Sequence, residues 1–129
     1  MGKSVKYQKV IMKHIGIIGT RRRNTKHDQS LTQKAFFKVY EEGDVIVSGL
    51  CPKGGDRFAV LIAEKYSIKT LWFPANWDFY GKAAGFVRNG DIAKHSDILI
   101  ACVAEDRTGG TEDTIRKYYK LGKRDLILV

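Results

Sequence analysis

The sequence predicts an α/β fold in which about five mainly parallel strands form one doubly wound sheet with helices on both faces. Three observations carry this. Short β-branched runs alternate with helix-length amphipathic segments, at a spacing that calls for right-handed crossovers between parallel strands. Glycine-bearing turns follow three of the strands, at Gly19, at Gly49 to Gly55 and at Gly109-Gly110. A chain of 129 residues with 43% apolar and 29% charged content suits one domain, and at this size it buries roughly two thirds of its unfolded surface.

Residues 1–10 read as a loose basic arm and residues 11–129 as the domain. His14-Ile-Gly-Ile-Ile-Gly19 is a β-branched run that stops at Gly19-Thr20, as a first central strand bounded by a turn should. The helix after it is expected at Ser30-Leu-Thr-Gln33, which has the form of a capping box, with Leu31, Ala35, Phe36, Val39 and Tyr40 recurring on one face. Val45-Ile-Val47 is the second strand; it breaks at Ser48-Gly49, and Asp56 reads as the cap of a helix to about Tyr66. Lys69-Thr-Leu-Trp-Phe73 is the third strand, stopped by Pro74. An aromatic loop from Asn76 to Tyr80 then leads to a helix over about Lys82 to His95. Asp97 to Val103 is the fourth strand, Thr111 to Leu121 the last helix, and Asp125 to Val129 a closing fifth strand.

The net charge of +9 is local: residues 1–26 hold eight Lys or Arg and no acid. Lys3, Lys6, Lys9 and Lys13 precede the first strand and suit a nucleic-acid arm. Arg21-Arg22-Arg23 follows that strand, where it suits a phosphate pocket equally well. The longest apolar run is far below the ~20 residues of a membrane span. The basic start lacks the apolar core and small-residue cleavage site of a signal peptide, so a cytoplasmic protein with no membrane partner is expected. Cys51 and Cys102 form no CxxC pair, and His14, His27 and His95 are scattered. No metal and no cofactor are expected.

In parallel sheets, ligands bind beyond the carboxyl ends of the strands where the strand order reverses, and every glycine turn named above lies at that edge. Gly49, Gly54 and Gly55 before one helix, and Gly109-Gly110-Thr111 before another, allow close backbone approach, and the helix starts supply free N–H groups for an anion. They read as phosphate turns or as ordinary turn glycines. Neither GxGxxG nor GxxxxGK[ST] is present, which excludes a Walker-type NTPase. Trp77 stands where an aromatic can stack on a base or serve as a lid. Arg88 and Asn89 sit mid-helix beside Ala83, Ala84, Gly85 and Gly90, small residues that let a ligand or another backbone come close.

These segments resemble the SLOG superfamily, the Rossmann-like nucleotide-binding group that contains the cytokinin-activating LOG phosphoribohydrolases and the DprA proteins, and within it the YspA-like branch. Carrying the resemblance are Gly19-Thr20-Arg21, Ser48-Gly49 through Gly54-Gly55-Asp56, Asn76-Trp77 with Tyr80-Gly81-Lys82-Ala83-Ala84-Gly85, Arg88-Asn89, and Gly109-Gly110-Thr111. It implies a single Rossmann-like doubly wound sheet over residues 14–120. The LOG enzymes pair an Arg-Lys on the helix before the fourth strand with a PGGxGTxxE turn after it. Arg88 matches the arginine, Asn89 replaces the lysine, Gly110-Thr111 match the glycine and threonine, and Thr114 stands at the glutamate position.

Cleaving a ribose N-glycosidic bond calls for a carboxylate near the anomeric carbon, which Thr114 cannot supply. The resemblance therefore implies binding of a phosphorylated nucleotide or nucleotide-derived signal, ADP-ribose-like or cyclic, by a sensor or sequestering protein. In this reading Gly55 and Gly110 open the helices that hold phosphate, Arg21 and Arg88 neutralise it, and Ser48, Asp56 and Thr111 bond ribose or phosphate oxygens. One alternative is a LOG-like nucleotide hydrolase using Arg88 with Glu112 as a relocated acid; the other is DprA-like nucleic-acid binding. Small members of the superfamily commonly form dimers or larger assemblies, so a homo-oligomer is expected.

Overall fold

The computed structural model describes residues 12–129; the basic arm expected over residues 1–10 lies outside them. Strands β1 (His14–Gly19), β2 (Val45–Ser48), β3 (Lys69–Trp72), β4 (Ile98–Cys102) and β5 (Leu126–Leu128) form one sheet in the order β3-β2-β1-β4-β5. Every adjacent pair is parallel. The helices are α1 (Lys26–Val39), α2 (Gly55–Tyr66), the single turn α3 (Trp77–Tyr80), α4 (Ala84–His95) and α5 (Gly110–Lys120), with a short 3₁₀ turn at Gly81–Ala83 before α4. The fold is the Rossmann-like α/β sheet expected.

Side-chain alternation on the strands splits the core in two. Ile15 and Ile17 of β1, Ile46 of β2 and Ile100 of β4 pack with Phe36 of α1 and Ala59 and Ile62 of α2. Ile18, Val47, Leu99 and Ala101 point the other way, onto Ile92 and Ala93 of α4 and Ile115 and Tyr118 of α5. The α4 end on that face is closed by Lys123, whose ammonium donates to the carbonyls of Ala93, Lys94 and Ser96 at 3.0, 2.7 and 2.8 Å. A cation there satisfies carbonyls that the helix leaves without donors.

Two helix starts differ from the sequence reading. Helix α1 begins about one turn before Ser30, capped by Thr25: its hydroxyl accepts from the Asp28 N–H (3.1 Å), and the Asp28 carboxylate accepts from the Thr25 N–H (3.2 Å). The box closes with aspartate where the usual pattern has Glu or Gln, and Arg23 adds an ion pair to Asp28 at 3.0 Å. Burial raises the Asp28 carboxyl, but its bonds from Thr25 and Arg23 outweigh that and hold it below the usual range. Helix α2 begins at Gly55, with Gly54 in the cap position, so Asp56 is not the cap but sits inside the first turn. The aromatic stretch after Pro74 is the turn α3 rather than a loop, capped by Asn76, whose Oδ1 accepts the Phe79 N–H at 3.1 Å.

Candidate functional site

The strand order reverses beside β1: β2 and β3 lie on one side, β4 and β5 on the other. The crevice beyond the carboxyl ends of β1 and β4 is the place where such sheets take ligands. Thr20 extends the pairing by one bond, its N–H donating to the Cys102 carbonyl (2.9 Å), and the two loops then part around a cavity of about 390 Å³. From the β1 side it is lined by Ile18, Gly19, Thr20, Arg21 and Arg22; from the β4 side by Thr108, Gly109, Gly110, Thr111 and Thr114. Cys51 and Asp56 contribute the floor, and Arg88, Asn89 and Ile92 of α4 the far wall.

The mouth is fixed by an exposed bridge between the two loops. Arg22 donates both terminal nitrogens to Asp106 (2.8 Å each) and reaches the Thr108 hydroxyl at 3.0 Å, and the guanidinium pulls the Asp106 carboxyl far below the usual range. This pins the segment that leads into α5. Gly109, at φ 107 and ψ −167, is the cap of that helix and supplies no side-chain acceptor. The first N–H groups of α5 therefore stand at the cavity with the positive end of the helix dipole.

The far wall is cationic and tied to the same helix. Arg88 donates to the Gly49 carbonyl (3.2 Å) and to Asn89 Oδ1 (3.1 Å). Asn89 in turn donates to the Gly110 carbonyl (3.3 Å) and to Asp113 (3.1 Å). Burial raises the Asp113 carboxyl, but Lys117 at 2.6 Å and Asn89 prevail and keep it low. One polar chain thus runs from the β2 loop through α4 to the first turn of α5.

Of the residues singled out in the sequence, Gly19, Thr20, Arg21, Asp56, Arg88, Asn89, Gly109, Gly110 and Thr111 come together around the cavity. Six others do not line it. Ser48 is completely buried beneath it. Gly49 acts through its carbonyl, and a Cβ there would collide with Arg88 and Asp56. Gly54 and Gly55 lie against the end of β1: a Cβ on Gly55 would overlap the backbone of Ile18 and Gly19, and one on Gly54 the backbone of Thr20. The Gly54 N–H is used by Asn24 Oδ1 at 2.9 Å. The start of α2 is therefore packed against protein backbone where a phosphate turn would be open. Asn76 is spent as a cap, and the Trp77 indole lies over Gly85, more than half exposed.

Glu112 does not line the cavity either. Its carboxylate accepts two bonds from Arg107, at 2.8 and 3.0 Å. Sequence reasoning missed Ile18, Cys51, Ile92 and Thr108 as lining residues, whereas Arg22 belongs to the basic cluster it assigns to a phosphate pocket and Thr114 to the position of the LOG glutamate. Ile92 was recoverable, since it stands one helical turn beyond Arg88 on the same face. Arg22 and Thr108 flank turns already singled out.

No family model matches the sequence, and no curated protein does. Two solved structures are similar. The molybdenum cofactor binding protein from the phototrophic bacterium Rippkaea orientalis matches with a TM-score of 0.69 at 20% identity, over 93% of this chain and 77% of that one. DNA processing protein A (DprA) from Streptococcus pneumoniae matches with a TM-score of 0.71 at 24% identity, over 92% of this chain. This chain spans 50% of that DprA chain. At these identities the likeness establishes the shared fold. Among the described residues, no helix is long and apolar enough to cross a membrane.

Proposed function

We propose that the protein binds a phosphorylated nucleotide or nucleotide-derived molecule in the switch-point cavity and senses or sequesters it. The observation that carries this reading is the opening of α5, capped only by Gly109, onto a cavity that also takes Arg21 and Arg88. Free N–H groups, a helix dipole and two guanidinium groups form an anion site, and about 390 Å³ falls within the range of small-molecule pockets. Phosphate would rest on the backbone of Gly110 and Thr111, with Thr20 lining the opposite, β1 side of the cavity. That one protein of this fold is named for binding a cofactor supports a ligand-binding role in general.

Binding is favoured over LOG-like cleavage by the position of the acids. Thr114 lines the cavity, its hydroxyl 3.4 Å from the Gly110 carbonyl, Glu112 is engaged by Arg107 outside it, and Asp56, the one carboxyl in the lining, is buried against Ser48 and Cys51. The exposed Trp77, Phe79, Tyr80 and Phe86 support the homo-oligomer that the resemblance implies.

Calorimetric titration with AMP, cyclic AMP and ADP-ribose tests the reading, together with mass spectrometry of small molecules released from the denatured protein. Saturable binding of a nucleotide is expected, weakened at least about tenfold in Arg88→Met, in line with the loss of a charge-assisted bond. Wild-type affinity retained in Arg88→Met, or no nucleotide bound at all, overturns it. Release of adenine and ribose 5-phosphate from AMP would instead establish the hydrolase.

A further inference from the structure

The cavity wall contains one carboxyl group, Asp56, which is buried in the first turn of α2 with Arg88 and Arg21 nearby. The Asp56 side chain is 9% exposed, and Ser48 beside it is completely buried. The Ser48 hydroxyl oxygen stands 2.6 Å from the Ile17 carbonyl oxygen and 2.9 Å from Asp56 Oδ1. A hydroxyl has a single proton, and the shorter contact, to Ile17, takes it. The contact with Asp56 then closes as a hydrogen bond when the proton sits on Oδ1 and is donated to Ser48. The other oxygen, Oδ2, accepts the Cys51 N–H at 3.0 Å and remains 3.8 Å from the Arg88 guanidinium, beyond hydrogen-bond reach. Arg88 donates Nε to Asn89 and Nη1 to Gly49.

We propose that Asp56 carries a proton in the ligand-free protein and is the positioning residue that decides whether Arg88 is available to an anion. This rests on the nucleotide reading above. Neutral Asp56 leaves the positive charge of Arg88 facing the cavity; ionised Asp56 compensates it and adds a negative charge to the wall. The groups facing Asp56 are Arg88 from α4, Arg21 from the loop after β1, the Cys51 N–H from the loop after β2, and Ser48 from β2. His14, His27 and His95 do not line the cavity. Burial pushes the Asp56 carboxyl upward, opposed by the Cys51 N–H and by the Arg88 and Arg21 charges, and the balance lies above the ordinary range. Anion affinity is therefore highest below that raised value and falls as pH rises through it. By reciprocity, a bound anion holds the proton more tightly.

The test uses ADP-ribose, whose diphosphate keeps its charge between about pH 5 and about pH 8, titrated into wild type and Asp56→Asn. The asparagine amide donates to Ser48 and its oxygen accepts from Cys51, so it reproduces the neutral acid and cannot ionise. Wild-type affinity is expected to fall by about tenfold or more as pH rises through the Asp56 midpoint, with proton uptake visible as a buffer-dependent heat of binding. Asp56→Asn is expected to give a flat profile and to bind more tightly than wild type at the upper end. Independently of any ligand, the infrared spectrum of the wild-type protein contains a buried carboxylic-acid band that Asp56→Asn lacks, titrating with the midpoint of the affinity profile. An equal slope in Asp56→Asn, or no such band in wild type, overturns the proposal. ADP-ribose failing to bind at every pH with the band present overturns the nucleotide reading and the coupling, and leaves the proton on Asp56.

Discussion

Gly54-Gly55 and Gly109-Gly110 are the same dipeptide in the same setting: each follows a parallel strand and opens a helix without a side-chain cap. The first glycine of each pair has a positive φ, 74° and 107°, in a region that is nearly glycine-only. Their surroundings are opposite. Gly55 is pressed against the backbone of Ile18 and Gly19, whereas a Cβ on Gly109 would meet nothing and one on Gly110 only the Asn89 amide at 3.9 Å. One pair lets a helix approach the central strand; the other leaves a helix start open to the cavity. A glycine turn identifies a close approach, and the fold decides whether backbone or ligand makes it.

The comparison breaks most visibly at the second glycine of each pair. Gly55→Ala is expected to cost about 3 kcal/mol or more in urea-denaturation stability, because the colliding atoms are backbone and cannot rotate away. Gly110→Ala should stay within about 1 kcal/mol of wild type, since its Cβ is accommodated; equal losses would remove the distinction. Gly110→Asp sharpens it from the ligand side. The protein should fold as wild type while calorimetric nucleotide affinity falls at least about tenfold, since a carboxylate then stands where phosphate is placed. The smallest effect belongs to Glu112→Gln. Weakening the pair with Arg107, whose own side chain is 44% exposed, should cost about 1 kcal/mol, and nucleotide affinity should change less than about twofold. A large loss of turnover or affinity there would bring the relocated-acid hydrolase back.

The order and parallel sense of the elements were legible because β-branched runs, glycine stops and amphipathic helices each carry their own local signal. The start of α1 was not. Ser30-Leu-Thr-Gln33 fits the familiar capping pattern, while the box actually used, Thr25 with Asp28, substitutes an aspartate held by Arg23. In the candidate site, the strand-end residues of β1 and the α5 turn were legible for the same local reason. What the sequence could not reveal is which helix start is blocked, because that depends on the bare backbone of Gly19-Thr20 meeting Gly54-Gly55 across the sheet. Nor could it reveal that Ser48 and Asp56 share a buried contact, since their roles depend on the Ile17 carbonyl of a neighbouring strand.

The placement of β1 at the centre of the sheet has a consequence during synthesis. Its partner on one side, β2, leaves the ribosome early, but its partner on the other, β4, follows only after α2, β3 and α4. Until then the apolar segment Ile15-Gly16-Ile17-Ile18 is an unsatisfied edge, the template on which strands of other chains add. The cavity also lacks its second wall for that interval. A nascent chain halted before β4 is therefore both ligand-blind and prone to self-association; docking of β4 removes the second condition, and the turn into α5 that follows it removes the first.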